Sequence, residues 1–181
     1  MKKIVLGFSV FLLLVSAVIF SGGAQEAVPE ESGDGFKEVE AEGVQLKWRA
    51  GDDNIEFVIS APTTGWVSVG FNPSRAMKDG HFIFGYVKEG EPVVEDHYGS
   101  GTFSHKSDEE LGGSRDIISF DGSESDGVTT LEFTIPIDSG DEYDTPLTLS
   151  QEHTVLLAYG PDGADDFSTK HSKKGKVLIT F

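Results

Sequence analysis

The stretch Val44-Gln45-Leu46-Lys47-Trp48-Arg49 alternates apolar and polar residues and sets the pattern for the rest of the chain. Because successive side chains of a β-strand point to opposite faces, this period of two indicates a strand with one buried face. Similar apolar runs, separated by turns rich in Gly, Asp, Asn and Pro, follow at 55–59, 67–71, 81–87, 92–98, 116–120, 128–135, 153–159 and 173–181. Many short strands without extended helical periodicity predict an all-β sandwich or barrel.

The first 24 residues are organised like a secretory signal peptide. Lys2 and Lys3 precede an apolar run at residues 4–20, and small residues follow as far as Ala24. This order predicts export and cleavage after Ala24. A retained membrane anchor is the alternative, but a run of 17 residues is at the short limit for crossing a bilayer. We therefore predict a periplasmic or secreted mature protein that does not span the membrane.

Composition excludes several classes of function. The chain carries 14 basic and 31 acidic residues, and losing Lys2 and Lys3 would change its net charge from −17 to −19. Nucleic acid is excluded as a partner because binding phosphates requires a basic surface. The charge instead favours a partner protein with a basic surface. With no cysteine, the chain can form neither a disulfide nor a covalent c-type haem linkage.

The mature chain divides into a short linker and one domain. Residues 25–42 are rich in Glu, Gly and Ala, and they predict a disordered acidic linker. Residues 43–181 carry the alternating runs and predict one β domain, long enough to bury a core. Acidic loops at 121–126, 138–144 and 162–166 lack the spacing of regular calcium loops, so solvated turns are the favoured interpretation. We found no familiar enzyme motif and predict no catalytic residue.

Two residues stand apart from the alternating pattern. Met77 is the one methionine of the predicted mature chain, and it lies in a polar loop between two apolar runs. His171 lies in a basic loop directly before the last run. A thioether and an imidazole are a pair that can hold haem iron from both sides. Residue type alone leaves local packing of Met77 and simple surface exposure of His171 as open alternatives.

The order of several sequence blocks resembles the DOMON family, and the similarity runs from about residue 44 to residue 181. The blocks are Thr-Gly-Trp-Val-Ser-Val-Gly-Phe-Asn-Pro at 64–73, Met77, Phe-Gly-Tyr-Val at 84–87, Ser-Glu-Ser-Asp-Gly at 123–127 leading to Leu-Glu-Phe at 131–133, and Ala-Tyr-Gly at 158–160 leading to Asp-Phe at 166–167 and His171. The resemblance implies an immunoglobulin-like antiparallel β-sandwich. It also implies a ligand, since members of the family bind haem b or sugars.

The resemblance further implies the residues that hold the ligand. The haem-binding cytochrome domain of cellobiose dehydrogenase is similar, with a Met in the loop that matches Met77 and a His near the C-terminus that matches His171. These two residues are therefore expected to be the axial ligands of the iron of a non-covalent haem b. A related subunit of ethylbenzene dehydrogenase uses Lys with Met, so Lys170 and Lys173 remain competing candidates.

The favoured hypothesis is an exported b-type cytochrome domain that transfers single electrons and is not an enzyme. Haem would lie at one end of the sandwich, between the loops of Met77 and His171. Phe71, Phe82, Phe84 and Tyr159 could form pocket walls, although general core is the favoured interpretation of them. Arg75, Lys78 and Lys173 could pair with the haem propionates or simply be solvated charges. The alternative is a carbohydrate-binding module, in which Trp48 and Trp66 would stack on sugars; an interaction domain without a ligand is the third possibility.

Overall fold

The computed structural model describes residues 25–26, 29–31, 33 and 35–181, so the predicted signal peptide at 1–24 lies outside the described residues. The described chain forms strands and one short helix. These are β1 (Gln25–Glu26), β2 (Glu30–Glu31), β3 (Lys37–Ala41), β4 (Val44–Ala50), β5 (Asn54–Ala61), β6 (Val67–Phe71), β7 (His81–Lys88), β8 (Glu91–Gly101), β9 (Ser104–Ser107), α1 (Asp108–Leu111), β10 (Ser119–Ser125), β11 (Val128–Pro136), β12 (Glu152–Tyr159) and β13 (Lys173–Thr180).

The strands form two sheets that pack face to face. One sheet has seven strands in the order β1-β13-β12-β6-β7-β8-β9, and the other has six in the order β10-β11-β5-β4-β3-β2. Among the described strands, pairing is antiparallel apart from β1, whose two residues run parallel to β13. The predicted all-β, immunoglobulin-like antiparallel sandwich is therefore confirmed. Over the same residues, the chain offers no helix with the length and apolar character needed to cross a bilayer.

The core lies between the two sheets and is rich in aromatic rings. Phe57 is its centre, with ring centroids 5.4 Å from Phe71, 5.3 Å from Phe133 and 5.7 Å from Phe181. Trp48 packs edge-on against Phe181 at 5.9 Å. These rings come from both sheets, so the alternation seen in the sequence brings the apolar face of each sheet into one shared interior.

The structure corrects the predicted boundaries at three exposed strands. Lys37–Ala41, inside the segment 25–42 that we predicted to be a disordered linker, pairs with Val44–Ala50. The strand predicted at 116–120 is instead Ser119–Ser125, which pairs along its whole length with β11. Ser104–Ser107 was not predicted. All three strands lie at or next to a sheet edge and are largely exposed, so polar residues fill them and the apolar alternation disappears.

Candidate functional site

The outer face of the seven-stranded sheet carries an apolar cavity of about 640 Å³. In β7, Ile83 points into the core between the sheets, whereas Phe82 and Phe84 point outward and belong to a separate apolar cluster with Trp66. The cavity is lined by Trp66, Ser68, Ala76, Met77, Phe82, Phe84, Phe103, His105 and residues 156–158, 167–171 and 174–176. Its volume is within the usual range for the site of a small molecule or cofactor.

Met77 and His171 both line this cavity, so the structure brings the two predicted ligands to one site. The site lies on the outer face of the sheet and not at the end of the sandwich, where we had predicted it. Of the expected wall residues, Phe82 and Phe84 line the cavity, whereas Phe71 is buried in the inner core and Tyr159 packs against that core. Phe71 and Tyr159 are thus core residues, in agreement with the favoured interpretation of the sequence, whereas Phe82 and Phe84 are pocket walls.

The loop that carries Met77 has a fixed path. The Met77 N–H donates to the carbonyl of Thr102 at 3.3 Å, and the Met77 carbonyl accepts from the N–H of Gly80 at 3.2 Å. Gly99 packs so closely that a Cβ atom at this position would overlap the Met77 carbonyl oxygen. Ala76, directly before Met77, has a positive φ of 50°, a conformation that surrounding contacts must hold in place. The backbone of Met77 is therefore constrained, and its thioether side chain lines the cavity.

The loop that carries His171 is anchored on both sides of the imidazole. On one side, the indole N–H of Trp66 donates to the Thr169 carbonyl at 3.1 Å. On the other side, the Ser172 N–H donates to the Tyr159 carbonyl at 2.8 Å. Asp166 closes the turn, because its carboxylate accepts from the backbone N–H groups of residues 168 and 169 and from both of their hydroxyl groups. Hydrogen bonds from residues 169 and 168 hold the pKa of Asp166 well below its usual range.

The imidazole of His171 is suited to act as a ligand. Partial burial lowers its pKa, and the positive charges of Lys174 and Lys170 lower it further. The side chain is therefore mostly neutral at pH 7, which leaves a nitrogen lone pair free to coordinate a metal.

His105 is a third potential donor, and sequence reasoning missed it. Its ring stacks on Phe84 with centroids 4.4 Å apart and lines the cavity. Its Nδ1 lies 3.0 Å from Nδ1 of His97, whose Nε2 lies 3.0 Å from the carboxylate of Glu95. Burial lowers the pKa of His105 to about 4, with the nearby His97 adding to the effect, and burial also lowers the pKa of His97.

This chain of hydrogen bonds fixes the tautomer of His105. The Glu95 carboxylate accepts a hydrogen bond from Nε2–H of His97. In neutral His97 the other ring nitrogen, Nδ1, carries no hydrogen, so it can only accept a hydrogen bond from Nδ1–H of His105. The lone pair of neutral His105 then resides on Nε2, which makes no hydrogen bond within the described residues. Ligating histidines are commonly oriented in this way by a partner on the other ring nitrogen.

The turn residues at 99–101 predict the strand pairing that would have identified His105 as a candidate ligand. Gly99, Ser100 and Gly101 suggest a hairpin, and a hairpin closing there brings the strand of His97 beside the strand of His105. The observed pairing joins His97 to Ser107, which places His105 two residues away on the same face.

Three lysines give the cavity a basic rim on a strongly acidic protein. Lys170, Lys174 and Lys176 line the opening. Lys173, one of the competing ligands from the sequence, does not line the cavity and instead lies 3.9 Å from the carboxylate of Glu42. Arg75 and Lys78, the other two cations considered in the sequence, do not line the cavity either, and Lys78 pairs with Asp79 at 3.7 Å. The cations that can meet acidic groups of a bound molecule are therefore a different set from the one predicted.

Comparison with known proteins supports the resemblance found in the sequence. Residues 40–160 match the model of the DOMON domain. The human DBH-like monooxygenase protein 1 is 27% identical over 126 residues, which cover 70% of this chain. The matched residues span only 20% of the length of that human protein.

Two solved structures share the fold at low sequence identity. The cytochrome b domain of pyranose dehydrogenase from Coprinopsis cinerea superposes with a TM-score of 0.59 at 12% identity, covering 84% of this chain and 86% of that one. The cytochrome domain of Myriococcum thermophilum cellobiose dehydrogenase has a TM-score of 0.57 at 8% identity, covering 85% and 88%. At such identities the likeness concerns the fold alone.

Proposed function

The chain belongs to the DOMON domain family, and from this premise we propose that it is an exported b-type cytochrome domain that binds haem and transfers single electrons. The observation that carries the proposal is the meeting of Met77 and His171 at one apolar cavity. They come from loops more than 90 residues apart in the chain.

The residues of the cavity fit haem b in shape and in chemistry. The floor is aromatic and aliphatic, as a flat apolar macrocycle requires, and includes Phe82 and Phe84. The thioether and imidazole side chains are established types of haem ligand. Lys170 and Lys174 at the rim can pair with the propionates. When bound, haem would supply a one-electron redox couple, and the absence of cysteine requires it to be held without a covalent bond.

Ligation by two protein side chains favours an electron carrier over an enzyme. If Met77 and His171 both held the iron, no coordination position would remain open for oxygen or a substrate. A thioether ligand also raises the reduction potential relative to two nitrogen ligands. We accordingly propose no catalytic residue. His105 is the strongest competitor of Met77 for the second position, and Lys170 is a weaker one because its charge must be lost first.

The proposal also includes the location of the protein and the kind of partner it meets, both of which are inferred from the sequence. Residues 1–24 would be removed during export, giving a periplasmic or secreted protein. The acidic surface would attract a redox partner with a basic surface, and the attraction would weaken as salt screens it. Association with the partner should therefore slow between low and physiological ionic strength.

Carbohydrate binding is the second candidate, but its expected stacking residues are unsuited to it. Trp48 is buried in the core at 1% exposure, and Trp66 is 4% exposed. Trp66 also uses its indole N–H to hold the Thr169 carbonyl. Neither ring presents an open face to a sugar.

Absorption spectroscopy of the exported protein tests the proposed function. After expression with added haem precursor, the reduced protein should show the sharp visible bands of six-coordinate low-spin haem, and acid-acetone should extract the haem. His171→Ala should lose haem or become high-spin, because imidazole is the stronger ligand. Met77→Ala should retain more haem at a lower potential. Ser172→Ala and Arg75→Ala are matched controls, since both residues are exposed in the same loops and do not line the cavity.

Two outcomes would contradict the proposal. A wild-type protein that takes up no haem would exclude the cytochrome function and make glycan binding the next test. Wild-type spectra in both His171→Ala and Met77→Ala would exclude this pair as ligands and direct attention to His105 and Lys170.

A further inference from the structure

A second group of ionisable side chains is buried on the opposite side of β7 from the cavity. His81 opens β7, Asp96 belongs to β8, and Asp144 lies in the loop before β12. Their side chains are 4%, 1% and 6% exposed. One potential ligand atom from each residue lies within 4.8 Å of the other two. Residues far apart in sequence are thus gathered around one small buried space.

The hydrogen bonds of the two carboxylates leave one oxygen of each directed to that space. Asp96 Oδ2 accepts from the backbone N–H of Asp116 at 3.1 Å. Asp144 Oδ2 accepts from the hydroxyl of Ser139 at 2.7 Å. Both Oδ1 atoms are buried without a hydrogen bond. Outer hydrogen bonds that orient a carboxylate and leave its other oxygen free are typical of metal ligands.

His81 does not satisfy these oxygens by itself. Its Nε2 lies 3.1 Å from Asp96 Oδ1 and 3.3 Å from Asp144 Oδ1. Neither contact has the direction of an N–H···O hydrogen bond, and both ring nitrogens are buried without a partner. Buried polar atoms of this kind are costly, so a cluster of them indicates a missing partner.

The cluster also contains more acidic groups than basic ones. Asp108, whose two carboxylate oxygens are fully buried and unpartnered, adds a third acid beside Asp96 and Asp144. In the described residues, no salt bridge joins a Lys or Arg to these groups. Arg115, which directly precedes Asp116, donates instead to the Val94 carbonyl at 3.0 Å. A protonated His81 would neutralise one of three acids.

We propose that His81, Asp96 and Asp144 bind a divalent transition-metal ion such as zinc, with Asp108 supplying further negative charge. One imidazole and two carboxylates form a mixed nitrogen and oxygen donor set of the kind that zinc accepts, with a water completing four-coordination. Calcium is disfavoured because it takes six to eight oxygen ligands. The site is separate from the cavity, since its donors project from the other face of the sheet, where His81 packs on Phe71 at 5.6 Å.

The metal would stabilise the fold and not take part in electron transfer. Through its ligands it would join β7 and β8 to the loop of Asp144 before β12. The loop before β10 would be held indirectly, because the Asp116 N–H donates to the ligand Asp96. Because a ligand that binds the folded state alone raises its stability, metal removal should lower the melting temperature.

Metal titration of the exported protein, freed of any affinity tag and stripped with EDTA, tests the proposal. We expect one equivalent of Zn²⁺ by elemental analysis, a higher melting temperature with Zn²⁺, and a much smaller change with Ca²⁺. Asp144→Asn should weaken Zn²⁺ binding at least tenfold. Asp53→Asn removes the same charge from an exposed turn and should bind as wild type does.

A second measurement on wild-type protein avoids dependence on folded variants. Mn²⁺ should lose its free-ion paramagnetic resonance signal on binding and regain it when Zn²⁺ is added, with or without bound haem. If wild type binds less than a tenth of an equivalent of Zn²⁺, or if Asp144→Asn binds as tightly as Asp53→Asn, the proposal is wrong and the cluster is a buried ion-pair network.

Discussion

The two faces of β7 and β8 differ, and each departs locally from the usual arrangement of a β-sandwich, in which the inner face is apolar and the outer face is polar. The outward residues, including Phe82 and Phe84, are apolar and surround an open cavity. The inward residues include His81 and Asp96, which are polar and fully enclosed. An open apolar face and a sealed polar one both cost free energy unless a partner is present. A ligand on each side of the sheet, as proposed above, would offset both of these costs.

The largest difference between the faces should appear in stability. Phe71→Ala, on the inner face, should lower the free energy of unfolding by about 3–5 kcal/mol because it empties a closed aromatic core. Phe84→Ala, on the outer face, should cost less, since its ring borders a space that is already open. Urea unfolding of the haem-free protein measures both. Equal losses would show that the outer aromatic cluster is packed as tightly as the core.

The next effect concerns the hydrogen-bond chain on the outer face. If His105 is a ligand, His97→Phe should weaken haem binding by about 10–100-fold. Loss of the residue that hydrogen-bonds to the other ring nitrogen of a ligating histidine typically lowers affinity by that factor. Lys106→Ala, beside His105 in the same strand and outside the cavity lining, is the control. Haem transfer to apomyoglobin gives the affinities. Matching values for the two variants would mean that His105 only packs on Phe84.

The smallest effect concerns the turn closed by Asp166, and it depends on pH. Because the pKa of Asp166 is lowered in the folded protein, its contribution to stability is complete above the ordinary value of 3.8 and is lost as pH falls toward the lowered pKa. Asp166→Ala should therefore be less stable than wild type at about pH 5–7, with the gap closing at about pH 2. Asp165→Ala is the control, since its carboxylate holds no such turn. A gap independent of pH would contradict the assignment.

Much of the fold could be predicted because the interior strands alternate. Val67–Phe71 was predicted to the residue, and β4, β5, β7, β11 and β12 within a few residues. The edges could not be predicted in the same way. Lys37–Ala41 buries Val39 alone, and Ser119–Ser125 is almost wholly exposed, so no apolar period marks either one. Their pairing is decided by the neighbouring strand and not by their own composition.

The candidate site was predicted in part for a related reason. The resemblance identified Met77 and His171, but it could not place them on the outer face, because the family motif does not say which face each strand residue takes. Phe71 and Phe82 both looked like wall residues in the sequence. They lie on opposite faces, since β6 and β7 pair Phe71 with His81 and Gly70 with Phe82. Asp144 was missed because its acidic loop was interpreted as a solvated turn, whereas contacts across the fold bury its side chain. His105 could have been found only by pairing the strands on either side of the turn at 99–101.

The contact between Gly99 and Met77 has an evolutionary consequence. The Gly99 N–H donates to the Gly80 carbonyl at 2.8 Å, and the carbonyl of Gly99 accepts from Asp79, so position 99 cannot move away from the Met77 loop. Because a Cβ atom there would overlap the Met77 carbonyl, homologous chains that keep this loop should keep glycine at 99. A lineage in which the backbone of this loop takes another path loses the constraint, so a change in the length of the loop should accompany the loss of glycine at position 99.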